Sequence, residues 1–192
     1  MALSTIGTNA VADDAVTATK IADAVALGKV GQVVTDSFTG TESSTSNAAG
    51  DSFTDSSVAA SITPTATSSK IFVSCQINTG AASHTDGSHV GRFTQAISGG
   101  STTAVNVGAT DGSRIETSSG RGTESQGSGT ILNTHYSFVL SPSTTSAVTV
   151  TYQFACRGNG SSTVYINRTG DDGNSIESQR TASHITLMEV LA

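Results

Sequence analysis

After residue 30 the chain alternates apolar and polar positions with a period of two. The clearest run places Val148, Val150, Tyr152, Phe154 and Cys156 at successive even positions, with mostly polar residues between them. Side chains two apart on a strand share a face, so this run predicts a strand with one buried face. Ile71, Val73, Cys75 and Ile77 repeat the pattern after Pro64 and the Ser68-Ser69-Lys70 turn, and Leu132, Tyr136, Phe138 and Leu140 give a third instance. Each run closes on a turn signal: Asn78-Thr79-Gly80, Ser141-Pro142-Ser143 or Gly158-Asn159-Gly160. Weaker alternations occupy 32–38, 57–62, 90–97, 102–107, 163–167 and 184–191. About nine short strands at this spacing predict an all-β fold, an antiparallel jelly-roll-like β-sandwich.

Two segments depart from the pattern. The first thirty residues exchange Ser, Gly and Thr for Ala, Asp and Val and end at Gly28-Lys29-Val30-Gly31, which sets a boundary near residue 30. There Ile6, Val11, Val16 and Ile21 recur every fifth residue, a spacing that matches neither a helix nor a strand. A helix over 13–27 is expected within the segment: Asp13 or Asp14 caps its start, Ile21 and Val25 stand four apart, and Gly28 ends it. It is too short to be stable alone, and its apolar strip calls for a partner chain or a larger assembly. The second departure is 108–130, rich in Gly with Ile115 as its one strong apolar residue, and it reads as a long surface excursion.

Composition narrows the function. Of the 192 residues 60 are Ser or Thr, charged residues make up 12%, aromatic residues 5%, and Trp is absent. The chain is polar without being charged, which argues against a helical bundle and against charge-driven disorder. A net charge of -6, with 9 scattered basic residues, supplies no footprint for a phosphate backbone, so no nucleic-acid partner is expected. No run approaches the roughly 18 apolar residues that cross a bilayer, so membrane insertion is not expected either.

Candidate chemistry is sparse. Cys75 and Cys156 are the only cysteines and fall in phase with the buried faces of their strands. A disulfide across the sandwich and two buried free thiols fit that phase equally. His84, Asp86 and His89 form a small cluster in a Gly/Ser loop, but their spacing matches no metal motif and solvated turn residues are the better reading. His135 and His184 take alternate positions in strands and are expected to face solvent or a neighbour. Asp171-Asp172-Gly173-Asn174 lacks the spaced ligands of a calcium loop and reads as a turn. The sequons at Asn159 and Asn167 carry no weight in a Ser/Thr-rich chain. No catalytic, cofactor or metal residues are expected, and the chain reads as a non-enzyme.

Two stretches resemble known virion proteins. Thr5-Ile6-Gly7-Thr8-Asn9-Ala10-Val11-Ala12-Asp13-Asp14-Ala15-Val16-Thr17-Ala18-Thr19-Lys20-Ile21-Ala22-Asp23 resembles a unit found, often in tandem, in tailed-bacteriophage fibre proteins. Ser61-Ile62-Thr63-Pro64 before Ser69-Lys70-Ile71-Phe72-Val73, then Ser141 to Thr145, Val164 to Arg168 and a closing Ile185 to Val190, is similar to a C-terminal domain of marine phage virion proteins. The resemblance implies a short tail fibre on the virion surface, assembled in the host cytoplasm. Residues 1–30 would attach to other virion structural proteins through Ile6, Val11, Val16, Ile21 and Val25, and residues 31–192 would form a β-sandwich knob. It further implies a homotrimer that meets a host-surface glycan or receptor, with no cofactor. A capsid head fibre or decoration protein is the alternative, and a glycan-degrading or glycan-binding module the lesser one.

Overall fold

The computed structural model describes residues 29–48, 51–81, 89–120, 128–156 and 162–191. The expected helix at 13–27 and the anchor residues Ile6, Val11, Val16, Ile21 and Val25 lie outside these, as do His84 and Asp86. The described residues hold no α-helix and eleven strands: β1 (Val30–Phe38), β2 (Glu42–Ser44), β3 (Thr54–Ile62), β4 (Lys70–Ala81), β5 (His89–Ile97), β6 (Thr102–Val105), β7 (Ser119–Gly120), β8 (Leu132–Leu140), β9 (Val148–Cys156), β10 (Val164–Ile166) and β11 (Ser183–Val190).

All pairings between these strands are antiparallel and form two sheets. One runs β1-β11-β4-β8, with β10 and β2 continuing from the far end of β4; the other runs β3-β9-β5-β6, with β7 beside β6 on the same edge of β5. Setting aside the short β2, β7 and β10, the remaining eight strands are ordered 1-8-3-6 and 2-7-4-5 in chain order. That connectivity is a jelly roll, two Greek keys folded face to face. The chain is therefore a jelly-roll β-sandwich, as its alternation predicts.

The alternation works because each strand gives one face to the core. Val148, Val150, Tyr152, Phe154 and Cys156 are all fully buried, as are Ile71, Val73, Cys75 and Ile77 on the opposite sheet. Phe93 sits at the centre, with ring centroids 5.1 Å from Tyr136 and from Phe138 and 5.2 Å from Tyr152. These tilted and edge-on contacts join the two sheets and suit the ring quadrupoles. Gly91, on the inner face of β5, makes room for them: a Cβ there would lie 1.9 Å from the Tyr152 hydroxyl.

Cys75 and Cys156 are both buried, one in each sheet, and are not joined to each other by a disulfide. His89 corrects the sequence reading, because it is a buried residue of β5 and not a solvated turn residue. Strand β5 starts at His89, one residue earlier than its apolar pattern suggests, and the ring shares the inward parity of Gly91 and Phe93. It stacks on Tyr152 and Phe154, with Nε2 3.3 Å from the Tyr152 hydroxyl. His135 is exposed and His184 half-buried, both on the outer face, as alternation requires.

Register fixes two poles. Val30 pairs with Val190, Ile62 with Val148, Ile71 with Leu140 and Ile97 with Val148, so these residues share one end. The chain enters and leaves the sandwich there, where Leu191 N donates to Lys29 O at 2.7 Å. Short connections at 63–69, 98–101 and 141–147 close this near pole. The longer connections, from Phe38 to Thr54, Val105 to Leu132 and Ile166 to Ser183, have their ends toward the far pole.

A buried carboxylate seals the near pole. Glu189 has the inward parity of Ile185 and Leu187 and is fully inaccessible to solvent. Gln32 Nε2 donates to its Oε2 at 2.9 Å, while Thr65 N and Thr65 Oγ1 donate to its Oε1 at 2.6 and 2.8 Å. Burial pushes this carboxyl's pKa up, but the donors outweigh it and bring the pKa down to about 2.

Candidate functional site

The far pole carries a polar cleft of about 350 Å³ on the outer face of β5. Outward parity on β5 gives Val90 and Arg92 to this face. Val90, Ala48 and Ala155 form a small apolar cluster outside the main core, with Phe53 and Ile115 packed against it. That cluster corrects the reading of 108–130 as pure excursion: Ile115 ties the segment back to the sheet, and β7 adds two further residues to the β5 edge.

Arg92 is the fixed centre of the cleft. Its Nε donates to Gln153 Oε1 at 2.8 Å and its Nη1 to Asp51 Oδ1 at 2.7 Å, and the guanidinium lies 4.0 Å from the Phe53 ring centroid. Gln153 is held in turn, its Nε2 donating to Asp55 Oδ1 at 2.7 Å. The guanidinium is thus pre-set in one orientation, and little side-chain entropy remains to be lost when a ligand binds. Gly112, Ser113, Arg114, Ile115 and Glu116 wall the opposite side. Arg114 pairs with Asp111, and Thr110 donates to Glu116, which braces that wall internally.

The lining has two cations, Arg92 and Arg114, and two carboxylates, Asp51 and Glu116. Such a balanced set of donors and acceptors beside an apolar Ile115 suits a neutral polyhydroxylated ligand better than a simple ion. Among the described residues no group of three or more His, Cys, Asp or Glu is arranged to hold a metal ion.

The sequence-predicted residues do not meet here. Cys75 is in the core, where burial pushes its thiol up to about 12. Asp171 and Asp172 belong to a turn braced by Arg168 and Arg180, both of which pair with Asp172. Asn167, of the second sequon, is fully buried, donating to Phe38 O at 2.8 Å and Gly40 O at 3.0 Å. A side chain so engaged is closed to glycan attachment.

No family model matches the chain, and no curated protein does. Among solved structures, the chain is similar to infectious bursal disease virus VP2 in its subviral particle, at 14% identity over 84% of this chain and 38% of that one, with a TM-score of 0.41. The T13 particle of the same virus gives 14% identity, 86% and 36% coverage and a TM-score of 0.42. Its Gx strain gives 15% identity, 85% and 39% coverage and a TM-score of 0.37. The chain spans less than two fifths of the length of each of these chains.

Proposed function

We propose that this chain is a virion structural protein, a short tail fibre attached through residues 1–30 that displays its jelly roll for host-surface recognition as a homotrimer. The observation that carries this reading is the opposition of the two poles. The chain joins the sandwich at Lys29 on the near pole, while the Arg92 cleft and the ends of the long connections lie toward the far one. A knob held from below at Lys29 turns its cleft outward, the arrangement that an attachment protein needs. The fibre-like residues Thr5 to Asp23 supply the holding segment in the same reading.

Host recognition is assigned to the far pole, with a neutral surface saccharide as ligand class. The expected activity is binding without turnover: purified protein saturates on the host's surface glycan and releases no reducing sugar. Release of reducing sugar would overturn the non-enzymatic reading. Location is tested on intact particles with gold-labelled antibody against the knob. Gold at the tail supports the tail fibre, gold on head vertices or faces makes the chain a capsid fibre or decoration protein, and unlabelled particles refute the virion assignment.

A further inference from the structure

The outer face of the β1-β11-β4-β8 sheet carries an apolar row that folding does not use. Val33 pairs with Met188, Met188 with Phe72, and Phe72 with Val139, so the four side chains run across all four strands on one line. Val33 and Val139 end the row at 54% and 58% exposed, and Val30, one step toward the near pole, is 50% exposed. Three of the four exposed large apolar side chains among the described residues therefore converge on one end of one face. Scattered exposed apolar residues are ordinary, but an aligned row is the mark of a contact surface.

Charge selects what covers it. Thr35 and Thr186 begin the next row, and His184 and His135 lie in the row beyond, so the only formal charge turned outward on these paired positions is Lys70 at the near-pole corner. Among the described residues at these paired positions no carboxylate shares the face, although the chain carries 15 acidic against 9 basic residues. Two copies of a chain with net charge -6 repel through most of their surface and least through this face. Its Thr, Ser and His side chains both donate and accept, which lets the face pack against the same face of two other copies around a shared axis.

The size is sufficient. Four strands about 4.8 Å apart and eight residues long at about 3.3 Å each span roughly 500 Å² in plan. Side-chain relief brings the accessible area into the range of about 600 to 1,000 Å² per partner that specific interfaces bury. We infer that this face is the self-association surface of the protein, packing against other copies of the same chain through the row Val33, Met188, Phe72 and Val139. The inference deepens the homotrimer reading by naming the surface that makes the oligomer.

The test is light scattering on the full chain with a V33E/V139E double variant and I176E as control. Both valines lie on exposed edge strands, so the monomer fold is expected to survive, which circular dichroism and melting check. Ile176 is 98% exposed and off this face. Wild type and I176E are expected at the mass of several chains and V33E/V139E at the mass of one. An oligomeric double variant overturns the face while leaving the oligomer intact, and a single-chain wild type overturns both. A photo-crosslinking residue at position 139 separates the remaining occupant: adducts between the sheet faces of two copies support the inference, and adducts confined to residues 1–28 overturn it.

Discussion

Replacing Glu189 by Gln removes a charge while nearly preserving volume. In the native chain three donors, one from Gln32 and two from Thr65, converge on the two carboxylate oxygens. An amide at this position can accept with one atom only and must point its NH2 at a donor on the other side. The native carboxyl titrates at about 2 against an ordinary 4.5, a depression equivalent to roughly 3 kcal/mol at about 1.4 kcal/mol per unit. The site lies close to the molecular surface, so screening trims the expected loss to about 2 to 3 kcal/mol. The sign follows from proton uptake. Between about 2 and 4.5 the unfolded chain binds this proton and the native chain does not, so the contribution is whole above pH 4.5 and fades as pH falls through 2. Urea denaturation of both proteins at pH 7 and at points down to pH 2 is the assay. E189Q is expected to be the less stable at pH 7, with the gap narrowing below pH 4.5. Equal stability at pH 7, or a gap that stays constant to pH 2, refutes the reasoning.

Three further outcomes are expected. G91A pushes a methyl onto the Tyr152 hydroxyl and costs about 2 to 3 kcal/mol by overpacking; Y152F in the same chain restores part of it, and no restoration sinks the packing account. R92A removes two hydrogen bonds and the stack on Phe53, so unfolding shows a loss of about 2 kcal/mol and hydrogen exchange quickens in 112–116; unchanged exchange there argues against Arg92 as the organiser of the cleft. A thiol reagent at pH 8 leaves the native protein unlabelled and reacts with both cysteines in denaturant, since Cys75 is buried with its pKa pushed up to about 12 and Cys156 is buried in the opposite sheet; rapid native labelling of Cys75 contradicts this.

The sheets were legible because jelly-roll strands are half-buried and write their buried face into every second residue. Strands β2 and β7, at three and two residues, are too short to show a period at all. Glu189 was legible in parity, two residues past Leu187, yet a carboxylate in a core position looks like a strand end until its donors from 32 and 65 are in place. His89 failed for a related reason: the Gly at 91 that interrupts the apolar pattern is what admits the Tyr152 hydroxyl, which in turn meets the His89 ring. The cleft left no spacing signal, because it gathers Asp51, Arg92 and Ile115 from segments that only the folded sheets bring together. Asn167 has a positive φ of 61° and is held by carbonyls of Phe38 and Gly40, a role that a sequon-like tripeptide hides.

The pairing of β1 with β11 also determines how the molecule bears load. A pull that arrives through Lys29 and is resisted at the far pole runs along the axis of β1, so the hydrogen bonds from Val33 to Phe38 are strained together in shear. A pull applied between Lys29 and Leu191, which sit side by side, would instead open the same pairs one after another. The sandwich is stiff toward tension along its length and weak toward peeling at its near pole.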